Sequence, residues 1–537
     1  MPDNVELTTT KGGNNISTVF ADQGLAKGHV AQKYIGTMAD QRDMQALGKE
    51  QVLRRNFRFI SIVAFGCTLI ASWEVVLTMM SSPLVDGGTA GFIWGFIVVS
   101  VGVLLLFASL AEMASMAPTA GGQYHWVSEF APRKYQKFLS YITGRSRSHL
   151  GWLCATGWEC AIVSIAFLAG TIIQGLVILN YPDYVSERWH GTLITIAITL
   201  FSVLFNTFLA KKLPLVEAFI LILHVAGFFI VIIPLWVLAP IKDAKTVFTQ
   251  FTNGGDWNSN GTATMVGLIT AITAMIGYDC TVHMSEEVRD ASTTLPKAIM
   301  AACSLNGVLA FVVMVTLCFT LGNVDEVLDS ATGYPFIQVF FNATKSYAAT
   351  NAMTAIVTMS LIASVITEVA TASRQLWSFA RDGGVPLATF FGHVRVNPNW
   401  NIPLNAVLVS LVLTMLLSLI NIGSTVALDA LITLTVGALL NSYIVTVSCV
   451  SWKRIRGEPL PPHRWSLGRW GLWVNLGALA FLIPEFVFVM FPLYSTVDPE
   501  NMNWSSLMYG GMLIFSIIYY VLYGRKTYVP PVALVKR

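Results

Sequence analysis

Eight ionisable side chains stand inside or at the ends of apolar stretches of this chain: Glu74, Glu112, Glu159, His224, Asp279, His283, Glu368 and Glu485. A carboxylate near the middle of a bilayer costs roughly 2.5–3.5 kcal/mol on insertion scales, so it faces a cavity or a partner. A buried carboxylate or imidazole whose surroundings alternate between wet and dry can also carry a proton. The densest group lies in Thr273–Pro296, which begins in an apolar run and ends in a charged loop. It sets Gly277, Tyr278, Asp279 and His283 where lipid-facing residues would stand. Gly277 and the polar residues after it weaken the helix just where the charge sits. A broken helix bares N–H and C=O groups that only a protein-lined or watered pocket tolerates at that depth. The plainer reading of Asp279 is a kink whose carboxylate bonds a neighbouring helix.

These residues need membrane helices to position them. The chain has 537 residues, 54% of them hydrophobic and 12% charged, with a net charge of +3 and a mean hydropathy of +0.63. That composition excludes a soluble domain and describes a polytopic membrane protein. Runs long enough to cross about 30 Å of hydrocarbon fall at 59–81, 91–116, 152–179, 191–209, 214–239, 263–285, 298–322, 350–373, 403–421, 426–451, 471–493 and 505–523. The expected fold is therefore all-α, with twelve transmembrane helices. Residues 1–53 read as a disordered cytosolic tail without a signal peptide and 527–537 as a second tail, with the twelve-helix domain at 54–526. Most Lys and Arg of the loops fall on one side, which places both termini in the cytosol. The sequons at Asn260, Asn342 and Asn503 lie on the other side and are the glycosylation candidates.

The first run repeats the oddity of the sixth: Gly66, Thr68, Ser72 and Glu74 interrupt it. Two interrupted helices five runs apart point to an inverted-repeat transporter with its site between the repeats. The repeats would cover about 59–239 and 263–451, with extra helices at about 471–523. Free N–H groups at a half-helix start suit a carboxylate. Carbonyls, Asp279 and the rings of Tyr278 and Trp73 suit a cationic amine, each ring worth about 0.5–2 kcal/mol. Trp73 reads equally as a packing residue.

The segments Phe107–Pro132, Gly277–Glu287, Thr332–Thr344 and Thr371–Pro386 together resemble the amino acid/polyamine/organocation (APC) transporter superfamily. Within it they are similar to the fungal amino acid/choline branch, which includes GABA and choline permeases, from about Arg54 to Lys526. The resemblance implies a LeuT-type fold of two inverted five-helix repeats plus two helices, and mostly proton-coupled transport of amino acids, GABA, choline or related amines. It carries over Ile70, Ala71, Ser72 and Trp73 as the first break and Gly277, Tyr278 and Asp279 as the second, together the substrate-binding set. The first break lacks the Gly-small-Gly run of relatives that bind α-amino acids, which favours an amine, choline-like or GABA-like ligand. About seven residues around Arg145–Gly151 look inserted relative to that family, as a cytosolic loop or as a gene-model error.

Glu159, Glu368 and His283 are the proton-coupling candidates, the alternative for each carboxylate being an interhelical hydrogen bond. Sodium coupling stays open. Glu286 and Glu287, near Arg289, are candidates for a cytosolic gate with Arg374 or Arg381, or else a solvated cluster. The scattered His and the missing GxSxG and phosphate-loop patterns speak against an enzyme, a metal site or a cofactor. The expected partners are a small-molecule substrate, the lipid bilayer and a proton, with no nucleic acid. The membrane is the plasma membrane or the vacuolar one. A non-transporting nutrient sensor of the same fold and an exporter of a specialised metabolite are the rival readings.

Overall fold

The computed structural model describes residues 32–132, 151–382 and 402–519, with the single positions Val30, Phe390 and Gly392. The 527–537 tail and the expected insertion, apart from Gly151, lie outside the described residues. Eleven helical stretches among those described are long and apolar enough to cross a membrane. They are Phe59–Val85, Gly88–Met116, Cys154–Asn180, Arg188–Phe208, Ala210–Leu238, Asn260–His283, Ala291–Thr320, Tyr347–Arg381, Leu404–Gly423, Ala430–Ile455 and Gly468–Val489, the first to eleventh spans. The described part of the expected twelfth is the 15-residue helix Ser505–Tyr519. Its rise of about 22 Å falls short of the hydrocarbon thickness. Many hydroxyls within the spans are absorbed by their own helices. In the fourth span Thr195, Thr199 and Ser202 each donate to the carbonyl four residues back, at 2.8, 2.8 and 2.9 Å.

Two spans are broken, and they are the two expected. The first stops at Ile70, Ala71 adopts a left-handed conformation (φ 46°, ψ 48°), and the helix resumes over Ser72–Thr78. The sixth stops at Met275, Ile276 is extended, Gly277 has φ 104°, and a last turn forms at Cys280–His283. The half before the first break packs on the half after the second, and the remaining halves pack on each other, so the spans run antiparallel with their breaks adjacent. The Ser72 and Tyr278 hydroxyls meet across them at 3.1 Å. The carbonyls near the first break find donors: Ser364 of the eighth span donates to Leu69 O at 2.5 Å, and Asn306 of the seventh to Cys67 O at 3.2 Å. Bared backbone is tolerated at this depth because protein groups satisfy it.

The loop after the second span folds back as a further helix, Gln123–Phe130, which packs on the tenth span and brings Gln123 to the sixth-span break. Sequence periodicity did not reveal it, because an eight-residue helix is too short to carry a period.

The reading of residues 1–53 as disordered fails over 32–53. Met38–Ala46 is a helix started by a Thr37/Asp40 capping box. Asp40 is buried, accepts from the backbone N–H of Asp290 (2.9 Å) and Ala291 (3.0 Å), and pairs with Arg55 at 3.2 Å. Burial works against that carboxylate, yet Arg55 and the backbone donors hold its pKa below the ordinary value. The segment is polar because its partners are polar, and composition alone reads such a stretch as solvated.

The same end of the bundle, rich in basic residues, is closed by ion pairs. Arg381 grips Glu286 with two bonds of 2.6 and 2.8 Å, and Arg374 meets Glu287 at 2.9 Å. Both carboxylates are buried, so this is no solvated cluster; only Arg289 points outward. Burial opposes the charge on Glu286, but Arg381, helped by Lys49 and Arg55, brings its pKa down to about 2.

Two outcomes are expected from this architecture. Gly277→Ala places a methyl 3.0 Å from Ile70 Cδ1 at a backbone angle that alanine avoids. That strain should cost about 1–3 kcal/mol, read as a lower melting temperature of the purified protein. Glu286→Gln leaves Arg381 without its partner and should cost about 3–5 kcal/mol. Because the folded pKa lies below the ordinary 4.5, the stabilisation is fully present above that value and is lost as pH falls towards 2. The melting difference between wild type and variant should hold constant from about pH 8 to 5 and shrink only in stronger acid.

Candidate functional site

A cavity of about 60 Å³ opens where the first, third, sixth, eighth and tenth spans converge. Its wall is built by the breaks: Ile70 and Gly277 both line it, and Gly277 lets the backbone come close to Ile70 and to the Trp158 ring. Most of the lining is aliphatic, with Trp158 as its aromatic face. The hydroxyls in the wall are spent locally, since Ser164, Thr273 and Thr435 donate to the carbonyls of Cys160, Ile269 and Leu431 at 2.8, 2.7 and 2.9 Å. One lining residue is ionisable. Glu368, on the eighth span, is 4% exposed, and its Oε2 is buried without a hydrogen-bond partner. The described lining holds no Lys, Arg, His, Asn or Gln.

Of the seven residues expected at the site, only Ile70 and Gly277 line this cavity. Ala71 supplies the turn, and Ser72 and Tyr278 tie the two breaks together. Tyr278 also stands edge-on to Phe107, with ring centroids 5.1 Å apart. Trp73 is fully buried on another side, against His224 and Phe228, and is a packing residue here. Asp279 lies elsewhere. Its oxygens accept from Gln123 Nε2 and the Tyr443 hydroxyl, and His283 Nε2 lies 3.5 Å away. This carboxylate is satisfied by neighbouring elements and lies outside the cavity lining, as the plainer reading of the sequence allowed.

The coupling candidates divide in the same way. Glu159 faces the ninth span, where Ser410 donates to it at 2.7 Å, and does not line the cavity. His283 has both ring nitrogens engaged. Nδ1 donates to Ala120 O at 2.8 Å, which leaves Nε2 to accept from Trp158 at 3.2 Å. Cys154, Asp279 and His283 bring ligand-type atoms within 4.8 Å of one another, a grouping that no sequence spacing announced. The Asp279 oxygens and His283 Nε2 already serve as hydrogen-bond acceptors, so the trio is read as packing. Glu368 alone of the three coupling candidates reaches the cavity.

Sequence reading missed Gln123, Tyr443 and Glu217. Glu217 is buried in the fifth span and accepts from Thr367 at 3.0 Å. Its signal was an acid inside an otherwise apolar run, hidden by its nearness to the Lys211–Lys212 end. Among the sequons, Asn503 Nδ2 donates to Val489 O and Phe491 O, both at 3.0 Å, and Asn342 Nδ2 donates to Glu326 at 3.2 Å. Asn260 is the first residue of a helix.

Comparison with known proteins agrees with this architecture. The family model described as amino acid permease matches residues 57–515. The choline transporter of Saccharomyces cerevisiae is 31% identical over 491 residues, 91% of this chain and 85% of the relative. Amino-acid permease 2 of Neurospora crassa is 26% identical, covering 92% of this chain and 90% of the relative. The GABA-specific permease of Saccharomyces cerevisiae is 26% identical over 540 residues, 97% of this chain and 90% of that one. With its broken first and sixth spans and a match running nearly from end to end, this multi-pass membrane protein belongs to the amino acid permease family of transporters.

Proposed function

We propose that the chain is a secondary active, proton-coupled transporter of a small organic cation, an amine of the choline kind in preference to a zwitterion such as GABA. One observation carries this reading: the unpartnered Glu368 carboxylate in a cavity whose other walls are apolar or internally satisfied. A buried carboxylate without a partner is costly, and a bound ammonium group removes that cost. At an effective dielectric of 20, two charges 4 Å apart attract by about 4 kcal/mol. Trp158 offers a ring face to the same cation, worth about 0.5–2 kcal/mol. A substrate carboxylate finds no free side-chain donor in the described lining; it would depend on backbone N–H groups at the breaks, beneath the Ile70 side chain. The choline transporter among the relatives fits the cationic reading, and the GABA-specific permease keeps the zwitterionic one as second.

The cavity is small for choline, so loading requires the walls to separate. In this reading the buried Glu286–Arg381 and Glu287–Arg374 pairs form the cytosolic gate that stays shut while the opposite side opens. The basic residues at that end favour the cytosolic side for it, with the plasma membrane as the expected location. Proton coupling rests on the family and on the buried carboxylates. The gradients decide between import and export, since the fold permits both.

Competitive uptake of choline, GABA and arginine into transporter-deficient cells, at two external pH values, tests the reading. Choline is expected to enter and GABA to compete poorly. Glu368→Gln should lower choline uptake by roughly 10- to 100-fold, which corresponds to about 1.4–2.8 kcal/mol, with surface abundance unchanged. Undiminished choline uptake by that variant, or GABA as the preferred substrate, would overturn the cation assignment.

A further inference from the structure

A buried trio outside the cavity has a hydrogen-bond order that fixes the place of a proton. Glu74, His224 and Asn306 come from the first, fifth and seventh spans and are 0%, 1% and 0% exposed. Asn306 Nδ2 lies 3.2 Å from Cys67 O. A backbone carbonyl only accepts, so the amide orientation is set and Asn306 Oδ1 is the atom left to face His224 Nε2, at 3.2 Å. Oδ1 only accepts as well, so Nε2 carries a hydrogen. On the other side of the ring, Nδ1 lies 2.8 Å from Glu74 Oε1. That contact needs one more proton, held either on Nδ1, as an imidazolium beside a carboxylate, or on Oε1, as a carboxylic acid beside a neutral ring. Without it a lone pair would face a carboxylate oxygen at bonding distance. In both forms the pair is neutral overall and holds one exchangeable proton.

We propose that the Glu74–His224 pair is the site of the coupling proton. Its position joins it to the substrate pathway. Glu74 is the third residue of the half-helix Ser72–Thr78, which begins at the Ala71 break, and Val75 of the same half-helix lines the cavity. The half-helix is held to the fifth span through this bond and through Trp73, whose ring lies 5.8 Å from that of His224. Loss of the proton turns the bond into a repulsion between a carboxylate and a lone pair, which pushes the half-helix off the fifth span and moves one cavity wall. The proton enters from water on one side with the substrate and leaves to water on the other, so its positive charge crosses in addition to any charge of the substrate. Of the titratable groups on the packed elements, the Cys67 thiol on the same span interacts with Glu74, and the Cys303 thiol of the seventh span and the Tyr278 phenol of the sixth interact in turn with Cys67. Glu217 lies two turns along the fifth span. None of these is a cation, so none substitutes for the proton in neutralising Glu74.

This inference rests on the transport reading above, and the experiment separates the two. Full-length wild type, Glu74→Gln and His224→Gln are reconstituted in liposomes. Each is assayed for accumulation of choline, GABA and arginine driven by a pH gradient, and for exchange of the same compound at equal pH on both sides. Exchange needs the substrate site but no net proton movement. Wild type should accumulate substrate increasingly as external pH falls from about 8 to 5. Both variants should lose gradient-driven accumulation by about tenfold or more, with its pH dependence, while exchange persists. His224→Gln, whose amide can still bridge Asn306 and Glu74, guards against a folding defect in the other variant. Variants that accumulate with the wild-type pH profile, or that lose exchange together with accumulation, overturn the proton assignment. A wild type that exchanges none of the three compounds instead sinks the transport reading itself.

Discussion

Backbone groups bared within a membrane must find partners, and the organisation of this protein follows from how two breaks meet that requirement. Ala71 and Gly277 interrupt the first and sixth spans, and the freed groups would be prohibitive against lipid. They are affordable because the breaks lie side by side, with Ser364 and Asn306 serving the first and the Ser72–Tyr278 contact bridging both. The third, eighth and tenth spans must then close around them, and the cavity is the space left between. Its polarity is decided by what its lining leaves unsatisfied, and among the lining side chains that is Glu368.

Asp279 and Glu368 show why a buried acid is an ambiguous signal. Both sit deep in the bundle and both are almost fully removed from water. Asp279 has two strong donors, supplied by the folded-back helix and the tenth span, and is spent on holding those elements to the sixth span. Glu368 has none. The difference lies wholly in the neighbours, so two acids of similar sequence context end in opposite surroundings.

The basic end of the bundle works on a different principle. There the charges are many and mutually compensated: Asp40 with Arg55, Glu286 with Arg381, Glu287 with Arg374. The N-terminal segment takes part in this network and docks on the start of the seventh span through Asp40. Buried pairs of this kind give little net stability but strongly penalise partial opening, because a single broken bond strands a charge. Such an end is either shut or fully separated, which suits a gate.

The sequence by itself determined the membrane class, the approximate limits of eleven of the twelve spans it led one to expect, and both breaks, since apolar run length and the Gly277 and Ser72 interruptions are local properties. It also named Ile70, Gly277 and Glu368, which line the cavity, and the members of the Glu286–Arg381 and Glu287–Arg374 ion pairs. Only the tertiary structure decided which acid faces the cavity, because that depends on Gln123 and Tyr443 arriving from 156 and 164 residues away. It likewise decided that residues 32–53 are ordered and that Glu74 meets His224 across 150 residues. Periodicity reports which face of a helix is apolar. It says nothing of which polar group stands opposite, and in a bundle of satisfied hydrogen bonds that is where function is assigned.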